Sequence, residues 1–155
     1  MKKRSKYKPK GVRLDNISWV MSSVKKVTSI SAGTSLQIKN HDAMDKLRRG
    51  EATKDDIDIL IGAFNMAEGY MRLRAELGRD WSVEIRAGQD ALLEVARRGV
   101  ERGMRFICKP AELVAMNLTM EIHDAQLEQS SVGDLEAALA IVESDHKHNK
   151  VRKIS

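Results

Sequence analysis

Between Thr53 and Gly78 the chain carries apolar residues on two flanks of one helical pattern. At 100° per residue, Ile57, Leu60, Ile61, Phe64, Ala67, Met71 and Ala75 fall on one face. Ile59, Ala63, Met66, Tyr70, Leu73 and Leu77 fall on a second. The polar stripe left over (Asp58, Asn65, Arg72, Glu76) is narrow. Such a helix needs partners on two sides, all from one chain or one from another subunit. Its ends are marked: Thr53 with Asp56 offers an acidic capping box, and Gly78 a stop at Leu77. Gly62 and Gly69 lie near the stripe and each costs about 1 kcal/mol relative to alanine. Close backbone approach and tolerated drift explain them equally well.

The rest of the chain reads around this helix. Asp15 or Asn16 caps a short helix whose apolar positions are Ile17, Val20, Met21, Val24 and Val27. TSISAGTS reads as a loop, and SLQIK as a short extended piece. Asn40 caps a second short helix closed by Gly50. Asp80 or Ser82 caps a helix to about Arg102, with Ile85, Leu92, Val95, Ala96 and Val100 inward. MRFICK is an apolar connector. Pro110 opens a helix to about Gln129. That helix is again two-sided: Leu113, Met116, Met120 and Leu127 on one face, Val114, Leu118, Ile122 and Ala125 on the other. Asn117, Glu121, Asp124 and Glu128 form a polar stripe, read as solvated. Ser131 with Asp134 caps the last helix, to about His146. The expected fold is all-α, a single-domain bundle of four longer helices plus two short ones over residues 15–146. A basic N-terminal arm (1–14) and a basic C-terminal tail (147–155) flank it.

Charge separates ends from middle. Residues 1–13 hold seven bases and no acid, and 147–155 hold four bases. Residues 14–146 carry sixteen bases against 22 acids, a net of −6. The domain itself repels a phosphate backbone, so nucleic-acid contact would run through the ends. The candidate binding residues are therefore Lys2, Lys3, Arg4, Lys6, Tyr7, Lys8, Lys10 and Arg13, with Tyr7 placed to stack on a base. The other reading of the arm is a solvated segment, or one lying on its own acidic domain. The single cysteine, Cys108, excludes an intramolecular disulfide and fits a reducing, cytoplasmic setting. No apolar run approaches the ~20 residues of a membrane span, and no apolar stretch of a secretory signal follows the basic start.

Three polar residues interrupt apolar faces: Glu68, Gln89 and His123. One reading is a polar pocket between the long helices, with Glu68 and His123 as an acid–base pair. The other is a structural network, or rim residues reaching water. No phosphate-binding loop, paired-cysteine motif or nucleophile elbow is present. Glu143-Ser-Asp-His146 has a di-iron ligand spacing but is a lone motif, with His148 nearby; no metal and no cofactor is expected. Cys108 reads as a buried, inert thiol. No enzyme is expected.

KKRSKYKPKGVRLDN, KNHDAMDKLRRGEAT, FNMAE and EIHDAQLE resemble a group of small proteins of proteobacterial phages, prophages and mobile elements. The resemblance spans most of the chain and implies a genetic setting, with no assigned activity. Together the expectation is a non-catalytic phage or mobile-element accessory protein that binds a host macromolecule, foremost a host protein. The alternatives are a nucleic-acid binder acting through the arm and a small-ligand binder or enzyme using the polar pocket. Two-sided helices also allow a homo-oligomer.

Overall fold

The computed structural model describes residues 31–148. The basic arm, the helix expected over Ile17–Val27 and the tail beyond His148 lie outside the described residues. Within them the chain is all-helical: α1 (Ser31–Arg48), α2 (Lys54–Leu73), α3 (Ser82–Glu101), α4 (Pro110–Gln129) and α5 (Val132–Lys147). Two 3-10 turns, Ala75–Leu77 and Arg79–Trp81, link α2 to α3, and there is no strand among the described residues. No described helix is long and apolar enough to cross a membrane.

The two-sided α2 is the central element, packing on all four other helices. Its first half faces α1, α3 and α4 through Ile57, Leu60 and Phe64, which meet Met44, Leu47, Leu92, Val95, Met116 and Met120. Its second half turns Met66 and Tyr70 into a cluster with Leu36, Leu127, Leu135, Ala138, Leu139 and Val142. Both expected partner sides are thus filled from within the chain. Close approach explains Gly69: a Cβ there would sit 2.8 Å from the Ala138 carbonyl oxygen, with α5 against it. Thr53 accepts from the Asp56 amide and Asp56 accepts from the Thr53 amide, the expected capping box.

Six expectations are corrected. The loop, extended piece and short helix expected across residues 28–49 give way over 31–48 to one helix, α1. Leu36, Asn40, Ala43, Met44 and Leu47 are buried at helical spacing, so packing outweighs the weak propensity of the Ser, Gly and Thr at its start. Asn40 is a buried mid-helix residue, not a cap. The α2 helix ends at Leu73, not Leu77, where Arg74 turns extended (φ −147°, ψ 144°). Gly78 (φ 113°) then reverses the chain between the two 3-10 turns. Neither Asp80 nor Ser82 caps α3; Trp81 holds the cap position without a side-chain cap bond. Asn65, placed in the narrow polar stripe of α2, is buried, while Val100, expected inward, is 45% exposed.

The α3–α4 connector is pinned rather than loose. Phe106 is buried, and Arg98 forks onto Glu112 (2.7 and 2.5 Å) while also donating to the Ile107 carbonyl (3.1 Å). The Arg98 guanidinium holds the Glu112 carboxyl below the usual carboxylate range.

Candidate functional site

Glu68 and Asn65 sit three residues apart on α2; Arg86 and Gln89 sit three apart on α3. That spacing places each pair on one helix face, and the α2–α3 contact brings the faces together. Gln89 Nε2 donates to Glu68 Oε2 (3.1 Å) and to Asn65 Oδ1 (3.3 Å). Arg86 Nη2 donates to Glu68 Oε1 (3.2 Å). Met71, Val83 and Ile85 complete a cleft of about 290 Å³. Gln89 is buried and its Oε1 has no partner. Flipping the amide would set an acceptor against the Glu68 carboxylate, so the network itself fixes the orientation.

The structure thus brings Glu68 and Gln89 together, as the pocket reading requires, and places His123 in a different cluster. His123 is buried against Tyr70, ring centroids 6.1 Å apart, with Nδ1 3.2 Å from Gln126 Oε1. Gln126 Nε2 donates to the Ala67 carbonyl (3.0 Å) and the Leu77 carbonyl (2.6 Å). Ser130 Oγ donates to Tyr70 Oη (3.0 Å). Burial pushes His123 down to about 4 and Tyr70 up to about 12, so both are neutral near pH 7. Every group in this cluster joins α2, the first 3-10 turn and α4. It pins these elements together, and Gln126 also lines a groove at the surface.

Burial pushes the half-buried Cys108 thiol up to about 11, which keeps it protonated near pH 7. In Glu143–His146 the buried member is Asp145, paired with Arg72, while Glu143 is exposed. Among the described residues no three His, Cys, Asp or Glu side chains gather closely enough to hold a metal ion. The α4 stripe is only partly solvated: Asp124 Oδ2 pairs with His41 Nε2 at 2.6 Å, and Glu128 accepts from Gln37. Burial raises the Asp124 carboxyl, against the pull of His41.

The second face of α4 is the larger departure. Ile122 is buried against Ala67 and Ile85, but Leu118 is 37% and Val114 69% exposed. Beside them Trp81 is 49% exposed on its 3-10 turn. Trp81, Leu118, Leu77 and Ile122 line a groove of about 280 Å³, with the exposed Glu76 and Glu121 among its other lining residues. As site residues, Arg86, Asn65, Gln126 and Trp81 escaped the sequence reading. The first three are signalled only by their three-residue spacing from Gln89, Glu68 and His123. Trp81 lies in a turn, where periodicity says nothing about burial.

The candidate binding residues Lys2, Lys3, Arg4, Lys6, Tyr7, Lys8, Lys10 and Arg13 lie outside the described residues. No protein-family model, no curated protein and no solved structure matches the chain.

Proposed function

We propose that this chain is a non-catalytic binding protein of a phage or mobile element that engages a host protein, acting in the cytoplasm of the bacterial host. The observation that carries the reading is the unpartnered apolar surface around Leu118, Val114 and Trp81. Burying those side chains against a partner is the gain this surface offers, and an aromatic beside aliphatics has the composition of interface anchors. The chain's polar clusters support the same reading from the other side. The Glu68–Gln89–Arg86 group bonds α2 to α3, the His123–Gln126–Tyr70 group bonds α4 to α2 and the first 3-10 turn, and burial keeps the Cys108 thiol protonated near pH 7. The genetic setting rests on the resemblance of KKRSKYKPKGVRLDN, NHDAMDKLRRG and EIHDAQLE.

The test is affinity capture by the full chain from a proteobacterial lysate at physiological salt, with and without nuclease. The expected result is one protein that stays bound after nuclease treatment. Recovery of nucleic acid alone would overturn the proposal.

A second reading is favoured by one observation, the concentration of seven bases in residues 1–13 against an acidic middle. On that reading the arm grips phosphate, binding falls steeply with salt, and a variant lacking residues 1–13 loses it.

A further inference from the structure

The groove beside α4 has a size and a charge that narrow its occupant. At about 280 Å³ it falls at the foot of the range of small-molecule sites and suits one or two anchoring side chains. Its base is apolar, Leu77 and Ile122, and its walls are Trp81 and Leu118. Val114 extends the apolar line one helical turn along α4, well beyond a single pocket. The charged side chains lining the groove are both acids, Glu76 and Glu121. Of the nearby cations, Arg74 pairs with Asp134 and Arg86 with Glu68, and the exposed Arg79, next to Gly78, is not among the lining residues.

We propose that this groove seats an amphipathic helix of the partner protein, one whose apolar residues recur every three to four positions and whose flanks carry lysine or arginine. This inference rests on the protein-binding reading above and names its site. A helix matches the surface because Val114 and Leu118 are one turn apart, so its own successive anchors meet successive turns of α4. Lysine or arginine beside the anchors would meet Glu76 and Glu121, which steers encounter and rejects acidic helices.

The test uses the full chain carrying Trp19→Phe, which leaves Trp81 as its only tryptophan. The probe is a synthetic helix of about 15 residues, long enough to hold helical structure, made of leucine and lysine with an amphipathic repeat. A second probe replaces each lysine with glutamate. The lysine peptide is expected to shift Trp81 emission to the blue, saturably. Leu118→Asp and the more exposed Val114→Asp should each weaken binding by about tenfold. Glu121→Lys should weaken it as well, and Glu136→Lys on the exposed side of α5 should leave it unchanged. Equal binding of both peptides, no Trp81 response, indifference to Leu118→Asp and Val114→Asp, or a signal that tracks self-association of the chain would each overturn the proposal. The two proposals fail separately. If a captured host protein stays bound to Leu118→Asp and Val114→Asp, the groove is the wrong site and the protein-binding reading stands. If capture yields only nucleic acid, that reading falls whatever the peptides do.

Discussion

His123 is held neutral at the centre of the pin between α2 and α4, and its cost can be read from pH. In the unfolded chain an ordinary histidine takes a proton near pH 6.5, while in the fold burial delays this to about pH 4. Between those values the unfolded state binds the extra proton, so stability falls as pH falls from about 6.5 toward 4. The loss expected at pH 5 relative to pH 7 is about 2 kcal/mol from this group. Urea titrations of wild type and His123→Gln at the two pH values measure it; the variant should lack that share of the loss. Gln126→Ala should cost about 2 kcal/mol at neutral pH, because the Ala67 and Leu77 carbonyls lose their shared donor. Glu68→Gln should change stability by less than about 1 kcal/mol, since its Arg86 partner is half-exposed and screened. Glu68 and Gln89 were legible in sequence because each interrupts an apolar face of its own helix. The Leu77 carbonyl that Gln126 bonds was not, because it is placed by the 3-10 turn after Leu73.

At the scale of elements, helix pairs here are set by small residues as much as large ones. Gly88 on α3 faces Thr119 on α4, and a Cβ there would overlap the threonine side chain. Thr119 Oγ1 also donates to the Glu84 carbonyl (3.1 Å), which ties it in place. Gly88→Val should therefore cost about 1–3 kcal/mol by forcing α3 and α4 apart, measurable by thermal or denaturant unfolding. The helices α2, α4 and α5 were legible because caps and periodicity agree: Thr53–Asp56, Pro110 and Ser131–Asp134 each mark a start that the fold uses. The first half of α1 was not legible. Ser31, Gly33, Thr34 and Ser35 carry loop-like propensity, which the burial of Leu36 in a cluster with Met66 and Tyr70 outweighs. The second face of α4 was legible as apolar, but periodicity cannot say that Val114 and Leu118 would be left without cover.

The whole molecule combines an acidic middle with basic ends, and its described core keeps an apolar face open on α4. Those two features pull toward different partners. A phosphate-binding arm would make affinity collapse between about 50 and 200 mM salt. An apolar groove with an acidic rim would hold its protein through that range and lose it when the groove is charged. The deciding measurement is capture from nuclease-treated proteobacterial lysate by wild type, Leu118→Asp and a variant lacking residues 1–13, with the bound proteins identified by mass spectrometry. The account predicts one protein retained by wild type, retained by the variant lacking the arm and lost by Leu118→Asp. Binding that disappears with nuclease or with the arm, and is indifferent to Leu118, would contradict it.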